Sequence, residues 1–389
     1  MWGYYYKPPK AQKLLDCNVT MPQQPPFLMI PGPTPLPDAV REALGRPAIG
    51  HRSPEFKKVL ESVLPALQWI FQTKNDVLLY TASGTGAMEA ALVNTLNPGD
   101  KVLCLTCGVF SARFAEIATT LGLDVEKMTV PMGEHNPVDV LKTRLAQDAK
   151  KEIKAVTIIH SETSTGVLNP VKDLISEVRQ HGALSIVDTV TSIGAAEFKF
   201  DDWGADVAVS GSQKGFMLPP GLSFLALSDR AWQAHQNVKN PGYYFNFSKY
   251  KKSQAEFTTP YTPSTPLIIA LDVALKMMQA EGLENVLARH AKLQSLTRKG
   301  VSDLGLELFV KNDLYASTAA TAVLPPDGLS VDEIRGRMKK DFGFLIANGQ
   351  KELVGKIFRI GHLGHINEQN VSDVLAALKT ILSESKVNA

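Results

Sequence analysis

From Asp76 onward, the chain alternates between short apolar or β-branched runs and amphipathic stretches of helical period. This alternation is typical of a mainly parallel sheet covered by helices. The predicted strands are residues 77–81, 101–105, 124–130, 155–160, 184–188, 207–210 and 223–228. The predicted helices between them are residues 86–96, 112–121, 138–146 and 171–180. The sequence therefore predicts an α/β fold with a mainly parallel seven-stranded sheet sandwiched by helices.

The second half of the chain has a different pattern. Residues 239–266 are rich in aromatic, lysine and proline residues without a clear period, which predicts an irregular excursion. Beyond it, the pattern predicts helices at 266–279, 284–304, 331–340 and 371–382, and strands at 306–310, 319–324 and 357–361. We therefore expect a flexible N-terminal extension (1–26), a large domain with an N-terminal arm (27–265), and a linking helix with a smaller C-terminal α+β domain (266–389).

The composition restricts the partners and the compartment. Lys and Arg number 41 against 39 Asp and Glu, so the net charge of +2 creates no long-range field for nucleic acid or an anionic membrane. No apolar run is long enough to span a bilayer, and residues 1–24 lack the apolar core of a signal peptide; Met21 is an alternative start. The three cysteines, Cys17, Cys104 and Cys107, suggest no disulfide framework. We expect a cytoplasmic protein whose partners are small molecules or a second copy of itself.

A turn of small residues follows the first strand of the predicted sheet. Ser83, Gly84 and Thr85 lie between this strand and a helix, where free backbone N–H groups and the positive helix end favour a phosphate. The turn matches neither the nucleoside-triphosphate nor the dinucleotide glycine motif. Its alternative interpretation is a tight connection that binds nothing.

Two charged residues lie at or just after the ends of two other predicted strands. Asp188 ends the strand at 184–188, and Lys214 lies in a small-residue turn after the strand at 207–210. Ligands of open α/β sheets bind beyond such strand ends. Pyridoxal phosphate (PLP) needs an amine to hold it as an imine, a carboxylate for its pyridine nitrogen and a phosphate cradle, and this chain offers all three. The alternative for Lys214 is a solvated loop cation.

Several motifs then carry a resemblance that runs from about Pro31 to the C-terminus. They are Pro-Gly-Pro-Thr-Pro at 31–35, Glu-Thr-Ser-Thr-Gly at 162–166, Asp188, Ser-Gly-Ser-Gln-Lys at 210–214, and Phe-Arg-Ile-Gly at 358–361. In these motifs the chain resembles the class V, fold-type I aminotransferases, in particular the alanine-glyoxylate and serine-pyruvate branch. The resemblance implies that residues 27–265 bind PLP and that the activity is transamination.

The resemblance also implies a role for each matched residue. Lys214 would hold PLP and shuttle the Cα proton, and Asp188 would pair with the pyridine nitrogen. Ser83, Gly84, Thr85 and Gln213 would cradle the phosphate, Thr163 would bind near the ring hydroxyl, and Val190 would cover one ring face. Phe110 stands where the family commonly has a tryptophan on the other face, which leaves a smaller aromatic surface. An ordinary core phenylalanine is the alternative for Phe110.

Two further matches concern the substrate and a second subunit. Arg359 lies in an otherwise apolar strand and would clamp the substrate carboxylate, with the Gly32 backbone close by; a structural ion pair is its alternative. The segment 258–263, which contains Thr262, resembles the family segment that reaches the phosphate of the partner subunit, which implies a homodimer with shared active sites. Its alternative is packing on its own domain.

The histidines suggest little chemistry. His51 and Arg52 are expected at the cavity mouth from family position alone, and His362 and His365 are expected in a turn near the substrate entrance; neither grouping has metal-site spacing. The predicted function is transfer of an amino group from alanine or serine to glyoxylate or pyruvate by a ping-pong mechanism. The alternatives are another PLP reaction of the same fold, such as a lyase, or a non-catalytic subunit of a soluble hydrogenase, a label that relatives of this branch carry. A desulfurase is disfavoured because no cysteine follows Cys107 to accept sulfur.

Overall fold

The structure is a computed structural model that describes residues 25–387. Nearly all of the predicted N-terminal extension, with Cys17 and the alternative start at Met21, lies outside the described residues. The strands are β1 (Phe27–Met29), β2 (Asp76–Tyr80), β3 (Lys101–Thr106), β4 (Asp124–Thr129), β5 (Ile153–Ile159), β6 (Ser161–Glu162), β7 (Val167–Leu168), β8 (Leu184–Asp188), β9 (Val207–Gly211), β10 (Ser223–Leu227), β11 (Ala320–Val323), β12 (Phe344–Asn348) and β13 (Phe358–Gly361).

Helices pack on both faces of the large sheet and against the small sheet. They are α1 (Asp38–Leu44), α2 (Pro54–Phe71), α3 (Gly84–Thr95), α4 (Val109–Thr120), α5 (Val138–Ala146), α6 (Val171–His181), α7 (Phe200–Trp203), α8 (Asp229–Gln236), α9 (Phe247–Gln254), α10 (Thr265–Glu281), α11 (Leu283–Asp303), α12 (Val331–Phe342) and α13 (Glu368–Val387). None of the helices within residues 25–387 combines the length and apolar character needed to cross a bilayer.

Among the described residues, the large sheet has seven strands in the order β2-β10-β9-β8-β5-β3-β4. β10 is antiparallel to β2 and β9, whereas the other pairs are parallel. Successive residues of one strand join separate buried clusters: Val77 and Leu79 pack on one face, and Leu78 and Tyr80 on the other. Burial on both faces explains the nearly continuous apolar runs in the sequence. The predicted fold class is confirmed.

A second sheet, in the order β1-β12-β13-β11, forms the smaller C-terminal part with its own buried cluster. β1 pairs in parallel with β12, so residues 27–29 are hydrogen-bonded to the small sheet although they begin the range predicted for the large domain. The division at residue 265 otherwise stays a prediction.

Some sequence-based predictions were wrong or incomplete. Residues 306–310 form no strand; only Leu308 makes an isolated bridge, to Val323. The excursion at 239–266 contains α9, where Gln254 hydrogen-bonds the backbone of Val77 and Leu79 along β2. The sequence pattern also failed to predict α2 and β12: α2 contains Pro65, a residue that usually interrupts a helix, and β12 is a short run directly after the turn at Gly343.

Candidate active site

A cavity of about 300 Å³ opens beyond the carboxyl ends of β2, β8 and β9, where ligands of such sheets are expected. It is lined by Gly32, Pro33, Ser83, Gly84, Thr85, Met88, Phe110, Arg113, Ser161, Thr163, Asp188, Val190, Thr191, Gln213, Lys214 and Pro220. All the predicted site residues except Thr262 and Arg359 are in this lining. Residues far apart in sequence therefore meet because parallel strands deliver their following loops to one edge.

The turn after β2 is built to receive an anion. Ser83 caps α3 by accepting a hydrogen bond from the Gly86 N–H, and within residues 25–387 the N–H groups of Gly84 and Thr85 make no hydrogen bond. The Gln213 side chain lines the same corner of the cavity. Buried polar groups are normally satisfied, so this corner of the cavity is shaped for a polar ligand.

Lys214 is buried against the glycine of the N-terminal motif. Its Nζ donates a hydrogen bond to the Pro31 carbonyl, and a Cβ on Gly32 would lie 2.6 Å from the Lys214 Cδ. Only glycine leaves room for this side chain, and its φ of 123° is equally restricted to glycine. Burial, reinforced by the positive charge of Arg359 and opposed by Asp188 and Glu162, lowers the pKa of Lys214 to about 7. A large share of this amine is therefore neutral, and nucleophilic, near neutral pH.

Asp188 is the second buried ionisable group of the cavity, with 6% of its surface exposed. Its Oδ1 accepts a 2.8 Å hydrogen bond from the Val190 N–H, which fixes the carboxylate at the end of β8. Burial raises the pKa of Asp188 to about 7; Glu162 adds to the rise, while the Val190 N–H, Lys214 and Arg113 oppose it. A buried carboxyl group that has a raised pKa and faces a cavity is suited to pair with a protonated ring nitrogen.

The buried Glu162 holds the start of α4 and thereby Phe110. Its carboxylate accepts hydrogen bonds from the backbone N–H groups of Phe110 and Ser111 and from the Ser164 hydroxyl. A carboxylate is stabilised at a helix N-terminus by these unpaired N–H groups. The Phe110 ring consequently lies at the cavity wall, where it also packs against one of the buried clusters.

Arg359, in β13 of the small sheet, contacts a residue of the cavity lining without belonging to the lining itself. Its Nε and Nη2 donate to the Asn348 carbonyl, and its Nη1 donates a 2.8 Å bond to the carbonyl of Thr163, whose side chain hydrogen-bonds Thr191. No carboxylate within residues 25–387 lies within 4.0 Å of this guanidinium, so the alternative of a structural ion pair was wrong. Burial lowers the pKa of Arg359 to about 10, which leaves it charged at neutral pH.

The remaining predicted residues lie outside the cavity. Thr262 lines a separate small depression with Thr81 and Tyr261, which is compatible with a role in the partner's cavity, and that role stays a prediction. Arg52 donates hydrogen bonds to the Thr258 hydroxyl and the Thr259 carbonyl, and neither Arg52 nor His51 is among the lining residues of the cavity.

The expected placement of His362 and His365 near the entrance was wrong. His362 is buried and hydrogen-bonds Thr321 and the Thr318 carbonyl, because the chain stays in the interior of the small part after β13 ends at Gly361. His365 is exposed on another depression beside Met217 and Arg289.

Arg113 is a cavity residue that the sequence pattern did not reveal. It lies one turn after Phe110 on α4, and its guanidinium carbon is 4.8 Å from the centre of the Phe110 ring. Residues three apart share a helix face, so this spacing was a usable signal once Phe110 had been selected.

The family model of aminotransferase class-V matches residues 38–349. The chain belongs to the class-V aminotransferases. Among its relatives within this family is the serine–glyoxylate aminotransferase of Hyphomicrobium methylovorum, 39% identical over 93% of this chain and 91% of the relative. The soluble hydrogenase 42 kDa subunit of Anabaena cylindrica is 46% identical over 92% of this chain and 93% of the relative. The crystal structure of alanine–glyoxylate aminotransferase from Nostoc sp. superposes with a TM-score of 0.88 at 31% identity, covering 93% of this chain and 97% of that one.

The residues present fit the PLP cofactor on which class-V aminotransferases depend. The unpaired N–H groups at the start of α3 suit a phosphate, and Asp188 and Lys214 face the same cavity. A Cβ on Gly84 would lie 2.9 Å from a Val190 methyl group, so the phosphate turn and one wall of the ring site are in direct contact.

Proposed function

We propose that this class-V aminotransferase moves the amino group of a small amino acid, alanine or serine, to a small 2-oxo acid, glyoxylate or pyruvate. One observation carries the proposal: a single cavity contains the buried amine of Lys214, the Asp188 carboxyl and a turn with backbone N–H groups that have no partner within residues 25–387. These are the three groups that PLP chemistry requires. The lowered pKa of Lys214 makes its neutral form accessible near pH 7.

The cavity residues divide the task of holding the cofactor. Ser83, Gly84, Thr85 and Gln213 hold the phosphate, and Asp188 holds the pyridine nitrogen in its protonated form. Val190 and Phe110 cover the two ring faces. When bound, PLP supplies an electron-withdrawing ring that takes up the electron pair left behind when the substrate Cα loses its proton.

The chain's own groups then bind the substrate and move the proton. Arg359 has already committed three of its five N–H donors to the Asn348 and Thr163 carbonyls, which leaves two donors for a substrate carboxylate. The Lys214 Nζ takes the Cα proton and returns it to complete the transfer. The Asp188 carboxylate would be held in its ionised form by the positive charge of the protonated ring nitrogen, which opposes the rise in pKa caused by burial.

The small-substrate assignment is supported by the named relatives and by the cavity. The serine–glyoxylate and alanine–glyoxylate aminotransferases among them carry such substrates in their names. The cavity of about 300 Å³ must hold the cofactor and the substrate together, which favours a small substrate. The homodimer belongs to the same proposal, with Thr262 reaching the partner's phosphate site.

A panel of amino donors against glyoxylate and pyruvate tests this function. Steady-state rates at several concentrations of both substrates are expected to give the parallel double-reciprocal lines of a ping-pong mechanism, with alanine or serine as the best donor. Phosphorylated, aromatic or cationic donors serve as the matched comparison. A PLP-loaded protein that eliminates or decarboxylates the donors without forming a new amino acid would contradict the assignment and favour a lyase.

The second candidate is a subunit of a soluble hydrogenase, favoured by the names of two relatives, from Anabaena cylindrica and Synechococcus sp.. Burial raises the pKa of the Cys104 thiol to about 11 and that of Cys107 to about 12, which disfavours thiolate ligands. Within residues 25–387, no group of three or more His, Cys, Asp or Glu is placed to hold a metal ion. An absorption spectrum of the purified protein separates the candidates, because a PLP imine absorbs visibly.

A further inference from the structure

Arg113 is a half-buried cation that no anion in the described part of the chain neutralises. It lines the cavity from α4, and none of the carboxylates within residues 25–387 lies within 4.0 Å of its guanidinium. Its one hydrogen bond to these residues is a 3.3 Å contact from Nη1 to the Thr85 Oγ1. A partly buried charge without a partner is costly unless an anionic ligand meets it.

The guanidinium is held in place by the residues around it. It stacks over the Phe110 ring at 4.8 Å, and Glu162 fixes the start of α4 through the Phe110 and Ser111 N–H groups. Stacking of arginine on an aromatic face is favourable and leaves the edge of the guanidinium free to donate hydrogen bonds. Thr85 lies at this edge, in the turn that the proposed function assigns to the phosphate.

The charges of the cavity lining also favour an anion bound beside Arg113. Among the described residues of its lining, Arg113 and Lys214 are the cationic side chains. Lys214 is required as the neutral amine, and residues 83–85 and Gln213 carry no formal charge. The phosphate dianion would therefore meet only dipoles from this lining if Arg113 were absent.

We propose that Arg113 is a phosphate-binding residue that donates charge-assisted hydrogen bonds to the cofactor phosphate across the turn at Thr85, while its stack on Phe110 holds the ring face in position. The inference rests on the proposed function, since it assigns a further contact to the same cofactor. A second carboxylate on the substrate is the other anion that an arginine could bind, but the contact with Thr85 places the guanidinium at the phosphate end.

Binding of PLP and of pyridoxal, which lacks the phosphate, isolates this contact. The cofactor-free protein is titrated with each aldehyde, and imine formation is followed by absorbance. Arg113→Gln is expected to raise the Kd for PLP roughly 10- to 100-fold, the value of a hydrogen bond to a charged group, and to leave the Kd for pyridoxal within about twofold. Arg113→Met, which keeps the stem over Phe110, carries the same expectation should the glutamine variant fail to fold.

Three variants serve as controls. Arg113→Lys keeps a positive charge and is expected to retain most of the preference for PLP over pyridoxal. Phe110→Leu removes ring surface and is expected to weaken both aldehydes alike. Arg41→Gln, on the exposed face of α1 outside the cavity, removes the same charge and is expected to change neither Kd.

The outcomes separate the two proposals. If the wild-type protein binds PLP but Arg113→Gln keeps its preference over pyridoxal, the phosphate role of Arg113 is overturned and the proposed function stands. If that variant instead loses turnover of aspartate relative to alanine, the anion is a substrate carboxylate and the phosphate role is again overturned. If the wild-type protein forms an imine with neither aldehyde, the proposed function itself fails.

Discussion

The two sides of the cavity are prepared for their ligands in opposite ways. At the edge of the large sheet, hydrogen-bond donors are left without partners: the N–H groups of Gly84 and Thr85 make no hydrogen bond to residues 25–387. At the small sheet, Arg359 is already tied by three donors to the Asn348 and Thr163 carbonyls. The large-sheet side therefore has unused hydrogen-bond donors, whereas on the small-sheet side the orientation of the Arg359 side chain is already fixed.

This difference suits a resident group on one side and a transient one on the other. Unpaired buried polar groups destabilise the cofactor-free protein, and a tightly bound cofactor removes that cost for as long as it stays. A substrate arrives and leaves at every turnover, so its binding arginine must be oriented before it arrives. We therefore expect mutations on the two sides to affect different constants.

The largest effect is expected at the amine that faces both sides. Lys214→Ala removes the group that holds the cofactor and moves the Cα proton, so kcat should fall by about 10³-fold or more and the imine absorbance should vanish. Lys299→Ala, which loses only an exposed pair with Asp303, is the matched control and should retain full activity. Full activity of Lys214→Ala would remove the chemical basis of the account.

Arg359→Gln tests the substrate side alone. The loss of a bidentate contact should raise the KM for the amino acid roughly 10- to 100-fold, while the Kd for PLP stays unchanged. Arg337→Gln, on the surface of the small part, where Arg337 pairs with Asp341 and Glu384, is the control. An equal loss of PLP affinity in Arg359→Gln would show that the two sides are not separate.

Gly84→Ala tests the cofactor side alone. The new Cβ would lie 2.9 Å from a Val190 methyl group. Relieving that overlap costs ~1–3 kcal/mol, which should weaken PLP binding by roughly tenfold. Gly336→Ala in α12 is the matched control because its Cβ would meet nothing within 4 Å, and it should add about 0.5–1 kcal/mol of stability instead. Unchanged PLP affinity in Gly84→Ala would contradict the claim that the turn at Gly84 packs directly on the wall of the ring site at Val190.

The smallest effect is a pH dependence in the cofactor-free protein. Burial lowers the pKa of Lys214 from 10.5 to about 7, so between these values the unfolded chain binds the proton and the folded protein does not. This group therefore makes the folded state more stable as pH rises from 7 to 10.5. Lys214→Met removes the buried amine and with it this pH dependence. The Tm of the variant should exceed that of wild type most at about pH 7, and the difference should shrink as the pH rises toward 10.5.

A matched exposed substitution isolates this pH effect. Lys299→Met should show no such trend, because the Lys299 side chain is exposed. A Tm difference between Lys214→Met and wild type that stays constant with pH would mean that the Lys214 amine is not desolvated.

The sequence was most informative where chemistry sits at the end of a regular element. Asp188 is the last residue of an apolar strand, and Ser83 and Lys214 follow two others, so the strand-end rule for α/β sheets is enough to predict that they meet at one edge. The large sheet was predictable for the same reason, since its strands alternate regularly with helices.

Contacts between distant segments were not predictable in this way. The pairing of β1 with β12 joins residues more than 300 positions apart, and neither short run shows its partner. The carboxylate of Glu162 reaches the start of α4 through the fold, so the role of Glu162 was missed although its motif was recognised. Arg113 was missed because an arginine on an amphipathic helix normally faces solvent.

Chemical trapping of the cofactor imine tests the central claim most directly. The purified protein is incubated with PLP, reduced with borohydride and digested, and the modified peptide is identified by mass spectrometry. The account predicts one phosphopyridoxyl group on Lys214, and its loss in Lys214→Ala. A protein that takes up no label, or carries it on another lysine, would contradict the account.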